Sequence, residues 1–328
     1  MAPVDTIHED ETAMPASGQQ EQPSQSNQPN KPKKKKHRAR KVVVALLVII
    51  CLLCLGGAGV IFYGYHVGEE SYQEVQTHVS LPASGESIMT TPIAESTFVD
   101  WDALRAINPD IVGWLYMPGT PINYPVMHGA DNDYYLHHDF YGSEGVVANY
   151  GSIYLAAENA GDFSDTNNVL FGHHLNNGTM FSAISNMGDP EAFNATRTSY
   201  LLTPEGNYEL TSFAILHVAS DDPIAQLTFA DQEAYVEYLQ DKVNRSEVVA
   251  DDLPDLGNLD KTFLFSTCDN LYTNGRWVLC NYVSNFVGTD KTLGEGMPDE
   301  AVDAAVAAES GVSPAQAELD AQAAAEAA

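Results

Sequence analysis

The segment FLFSTCDNLYTNGRWVLCNYV, residues 263–283, ends one apolar alternating run on Cys268 and opens a second at Arg276. Between them lies DNLYTNG, rich in turn formers, so the two runs read as an antiparallel hairpin. Phe263 and Phe265 fall on one face, Leu264 and Ser266 on the other, and Cys268 stands where the strand leaves the core among Ser266, Thr267, Asp269 and Asn270. A buried cysteine usually serves as a small hydrophobe, but this polar setting opens the thiol to solvent and substrate. In the hairpin register Cys268 faces the neighbourhood of Arg276, and Cys280 lies four residues further along its strand. At about 3.4 Å per residue that is roughly 13 Å, beyond the roughly 7 Å Cα limit for a disulfide, so two free thiols are expected. Arg276 is one of four arginines beyond the apolar segment 42–65, with Arg105, Arg197 and Arg245. A strand-end arginine can simply solvate a rim; opposite a cysteine, its fixed cation also favours a sulfur anion and can hydrogen-bond a developing oxyanion.

Outward from the hairpin, residues 98–288 read as one globular unit. Strand-like runs bounded by turn residues fall at 111–117, 122–127, 151–155, 168–172, 207–219, 262–267 and 276–287. Helical signals are fewer, at 101–108, 179–184, 189–194 and 229–245. Many short strands with inserted helices predict a mainly β fold, a closed antiparallel barrel of about eight strands. In NNVLFGHHLNNGTMFSAI, 167–184, His173 follows an apolar strand and Gly172, so it stands at a strand end as Cys268 does. Imidazole is the side chain suited to proton transfer near neutral pH. The tandem pairs His173-His174 and His137-His138 lack the i, i+4 spacing of a zinc helix, and no metal or cofactor motif is read.

The 328-residue chain has a net charge of −30, unevenly spread. Residues 31–41 hold eight of the 15 Lys+Arg, leaving seven cations against 40 carboxylates in 42–328. Phosphate binding needs clustered cations, so a nucleic-acid partner is excluded for that body. Residues 42–65, VVVALLVIICLLCLGGAGVIFYGY, carry no charged side chain, enough at about 1.5 Å per residue to cross a hydrocarbon core of about 30 Å. They read as an uncleaved signal anchor behind a basic, disordered segment 1–41, which the positive-inside rule places in the cytoplasm, with everything after the span outside. Residues 66–97 read as a polar extracellular stalk, and 289–328 as a solvated acidic, Ala-rich tail.

LFSTC with an arginine eight residues on, preceded 95 residues earlier by LFGHHLNNGTMF, resembles the class B sortases, membrane-anchored cysteine transpeptidases of Gram-positive bacteria. The resemblance extends through INPDIVGWLYMPGTPINYPV (107–126) and DNDYYLHHDFYG (131–142), and the helix at 229–245 matches the insertion of that class before the active cysteine. Leu264 and Phe265 stand where the class usually has Thr-Leu, which bears on the shape of the groove. The resemblance implies that Cys268 attacks a sorting signal to form a thioester, that Arg276 stabilises the oxyanion, and that His173, the first of its pair, handles the protons. Ser266 and Thr267 would contact the substrate. The acceptor would be an amine from a cell-wall precursor or a pilin lysine, with no cofactor. A cysteine protease would use the same three residues with water as acceptor, and a tethered surface scaffold would use none of them. LPASGE at 81–86 looks like a sorting motif, but it follows the apolar span, whereas sorting signals sit near a C-terminus ahead of one.

Overall fold

The structure, a computed structural model, describes residues 34–81, 98–145, 150–269 and 274–288. The tail 289–328 and all of LPASGE except Leu81 lie outside the described residues. Two compact units divide at Leu55. In the first, helix α1 (Lys34–Gln76) begins inside the basic run, where disorder was expected, because the apolar sequence that follows propagates the helix backward. Over Arg40–Gln76 this helix is long and apolar enough to cross a membrane, and the side chains of its apolar stretch are exposed.

In the second unit the helix runs on through Gln76, over residues that the sequence reading gave to a stalk. Its last turns bury Tyr72 and Val75 in the core, and Gly64 and Gly68 lie on the same face. A short pairing of β1 (Val79–Ser80) with β2 (Phe98–Val99) precedes α2 (Trp101–Ile107), whose first turn is capped by Asp100 accepting from Ala103 N. Strands β3 (Ile111–Tyr116), β4 (Asn123–Met127), β5 (Ile153–Leu155), β6 (Asn167–Phe171), β7 (Thr198–Thr203), β8 (Gly206–Ala219), β10 (Thr262–Cys268) and β11 (Gly275–Gly288) close into a barrel in the order β11-β10-β6-β5-β4-β3-β7-β8, sealed by β8 against β11. The two-residue β9 (Val248–Val249) adds to β8.

The expected closed barrel is present, but it is mixed rather than antiparallel: β4 pairs parallel with β5, and β6 parallel with β10. Both pairs are joined by long crossovers, as parallel strands require. The first crossover holds α3 (Tyr134–His137). The second holds α4 (Ser182–Asn186), α5 (Pro190–Ala195), β7, β8 and α6 (Gln232–Asn244). Strand β7 did not register in the sequence because five of its six residues are buried, which erases alternation.

Strand β10 is likewise buried on both faces. Phe263 and Phe265 enter the barrel interior with Trp114, Leu170 and Phe181, while Leu264 and Cys280 lie in an outer cluster beneath Tyr235, Tyr238 and Leu239 of α6. The helix is tied to the strand starts by polar contacts: Tyr235 Oη donates to Thr262 Oγ1 at 2.9 Å, and Asn167 Nδ2 to Tyr238 Oη at 3.2 Å. This clamp holds β6 and β10 at one end and leaves their other ends to form the site.

Candidate active site

Antiparallel pairing of β10 with β11 places Cys268 directly opposite Arg276. Parallel pairing of β10 with β6 ends at Ser266 opposite Phe171, with Gly172 N donating to Ser266 O at 3.2 Å. Cys268 and His173 each stand two residues beyond that last pair, so β6, β10 and β11 deliver His173, Cys268 and Arg276 to one rim. All three line a cleft of about 270 Å³, walled by Leu136, Tyr154 and Phe171. The Cys268 side chain is exposed to it, and the Arg276 guanidinium lies 5.7 Å from the Phe171 ring centroid, which holds the fork over the cleft. Ser266 and Thr267, both in the cleft wall, bury hydroxyls that have no partner among the described residues.

The His173 ring is fixed by Nε2, which donates to Leu136 O at 2.6 Å, and Nδ1 has no hydrogen-bond partner among the described residues. His174 points elsewhere: its Nδ1 donates to the Cys268 carbonyl at 3.1 Å, bracing the strand end. Burial lowers the His173 imidazole below its ordinary value, the Leu136 bond opposes this, and the charge of His137 adds a smaller downward pull. The folded protein therefore binds fewer protons here than the unfolded chain, so stability at this site is present above the ordinary value of 6.5 and lost as the pH falls below it. We expect wild type to lose melting temperature against His173→Gln on acidification from about pH 7.5 to about pH 5, each unit of lowering being worth about 1.4 kcal/mol. A gap that stays constant, or moves toward wild type, would rule this out.

Behind Cys268, the buried Asp269 carboxylate accepts from His217 Nε2 at 2.9 Å and from Gly275 N at 3.1 Å, and Asp269 N donates to Gly275 O at 3.0 Å. The His217 ring packs on Trp277 with centroids 4.7 Å apart. These contacts cinch the two strand ends next to the turn and so set the spacing of Cys268 and Arg276. Cys280, by contrast, is fully buried and its thiol is pushed up to about 12 by desolvation. Both cysteines are free thiols, as the register argument required.

No family model matches the chain. Sortase B of Listeria monocytogenes is 30% identical over 227 residues, covering 67% of this chain and 89% of that protein. The chain belongs to the sortase B family. Sortase B of Bacillus anthracis in complex with AAEK1 superposes with a TM-score of 0.56 at 27% identity, covering 68% of this chain and 98% of that one. A Staphylococcus aureus sortase B–substrate complex gives 0.51 at 26% identity, covering 57% and 84%. This sortase is a cysteine transpeptidase, and neither the protease nor the scaffold reading is favoured. Its long apolar helix is compatible with membrane anchoring.

Sequence reasoning reached the three rim residues of this sortase but missed the walls that orient them. Leu136 supplies a backbone carbonyl, which no side-chain pattern announces, and the Asp269–His217 contact joins residues 52 apart. The stretch DNDYYLHHDFYG, noted for its family likeness, was the available signal for Leu136.

Proposed function

We propose that this sortase resolves sorting-signal peptides through Cys268, with His173 and Arg276 as its acid–base and electrostatic partners. His173 takes the Cys268 thiol proton as the sulfur attacks the scissile carbonyl carbon, and Arg276 hydrogen-bonds the oxygen as it becomes an oxyanion. The C–N bond breaks as His173 gives a proton to the leaving amine, and the acyl group remains as a thioester. An incoming amine then attacks the thioester, His173 takes its proton, and the thiolate departs. The observation that carries this reading is the shared rim: one parallel and one antiparallel register bring the three side chains into one cleft. The Ser266 and Thr267 hydroxyls, without a partner among the described residues, are suited to hydrogen-bonding the substrate strand. The acceptor is an amine of a cell-wall precursor or a pilin. The basic run ahead of residue 42 holds the N-terminus in the cytoplasm and the barrel outside.

The test is intact mass of the detergent-solubilised full chain incubated with a library of sorting-signal peptides, with and without an amine. We expect an adduct on Cys268 that the amine converts to an amide product. An adduct that water resolves equally fast in the presence of amine would make this chain a hydrolase instead.

A further inference from the structure

The wall behind His173 is not finished by the barrel. Gly151, at φ +55°, brings its backbone so close to the His173 ring that a Cβ there would sit 2.8 Å from Cδ2 and 2.7 Å from the Leu136 carbonyl oxygen. Only glycine fits, in both space and conformation. Gly151 thus presses on both partners of the hydrogen bond that orients the catalytic imidazole. Its own carbonyl accepts a 2.5 Å hydrogen bond from Tyr72 Oη, donated from the last turns of α1.

The same helix face also grips the loop that follows His173. A Cβ on Gly68 would meet the Tyr150 ring at 2.4 Å, and Tyr150 Oη accepts from Asn177 Nδ2 at 2.6 Å. Tyr72 packs edge-on against Tyr124, 5.3 Å between centroids, and Tyr124 Oη accepts from Met180 N at 3.4 Å. Residues 64, 68, 72 and 75 form one buried stripe at helical spacing. That stripe is joined through Tyr72 to Gly151 and through Tyr150 and Tyr124 to both sides of the loop between His173 and Phe181.

We propose that Tyr72 is a positioning residue for catalysis: the end of the anchor-bearing helix holds Gly151 against His173 and thereby sets the tautomer and exposure of the imidazole. The proposal rests on the sortase reading of His173. Without the Tyr72 hydroxyl, Gly151 loses its only described side-chain donor, the ring gains solvent, and its proton affinity returns toward that of free histidine.

The experiment compares wild type, Tyr72→Phe and Val75→Ala as full chains in detergent, Val75→Ala removing packing from the same helix face without touching the hydrogen bond. Two readouts are taken, both well below the melting temperatures. The first is the NMR titration of the ¹³C-labelled His173 ring, assigned by its loss in His173→Gln. Cys268, Arg276 and Tyr154 share the cleft with this ring and His137 acts on it electrostatically, and all four are retained in the variants. The second is kcat and KM for a sorting-signal peptide with an amine acceptor. We expect Tyr72→Phe to raise the His173 midpoint by about half a unit and lower kcat about five- to tenfold with KM unchanged, an effect of the size of a mispositioned proton-transfer group, while Val75→Ala leaves both near wild type. A His173 titration in Tyr72→Phe that overlays wild type overturns the proposal whatever the activity. A shifted titration in a chain whose wild type forms no acyl adduct would uphold the positioning role and overturn the sortase reading of the site.

Discussion

Replacing Cys268 with alanine is expected to lower kcat/KM for sorting-signal cleavage by about 10⁴-fold or more, since removing a nucleophile leaves only binding and oxyanion stabilisation. On the transition-state scale that is a loss of about 5.5 kcal/mol. The structure makes the prediction specific to one of two neighbouring thiols. Cys268 ends β10 exposed in the cleft, whereas Cys280 lies beneath α6, fully buried and with its thiol pushed up to about 12. Cys280→Ala is therefore expected to reduce stability by about 1 to 2 kcal/mol through the lost packing and to leave the acylation rate within about twofold. Stopped-flow acylation with a quenched fluorescent peptide, alongside iodoacetamide labelling of the folded chain, reads both effects. Equal labelling of the two thiols, or a Cys268→Ala chain that still cleaves at a comparable rate, would remove Cys268 from the chemistry.

Arg276→Ala is expected to cost about 10²- to 10³-fold in kcat, about 3 to 4 kcal/mol, the usual effect of deleting one donor to a developing oxyanion. Arg276→Lys should recover only a small part of this. Lysine offers a point charge without the planar fork, and its ammonium would not lie over Phe171 as the guanidinium does. Because Arg276 is half-buried at the strand end and pairs through its backbone, neither change should move the melting temperature by more than a few degrees. The kinetic split decides: an unchanged kcat with a raised KM would make Arg276 a ground-state substrate anchor and refute its oxyanion role.

What could be read from the amino-acid order was whatever depends on near neighbours. The charge-free run of 42–65 announced a membrane-competent helix, and the alternation of 262–267 and 276–287 around DNLYTNG announced a hairpin. That hairpin register alone placed Arg276 across from Cys268 and kept Cys280 out of bridging range. Period and turn chemistry are local, so they survive in the sequence. Its strand-end position and imidazole chemistry singled out His173 and the family motif chose it over His174, but its nearness to Cys268 was not legible in any spacing. It follows from β6 and β10 lying parallel across a crossover of some 90 residues, and pairing partners so far apart leave no periodic trace.

The same reason hid the rest. Strand β7 is buried on both sides, so it shows no alternation, and it had to be seen between β3 and β8 to be recognised. The segment after the apolar span, polar enough to pass for a stalk, docks through Gly68, Tyr72 and Val75 because the barrel offers Tyr124, Tyr150 and the Gly151 carbonyl to meet them. A helix face of one glycine, one tyrosine and one valine has too little apolar surface to declare itself. Its burial is decided by the complementary surface, which exists only once the chain has folded.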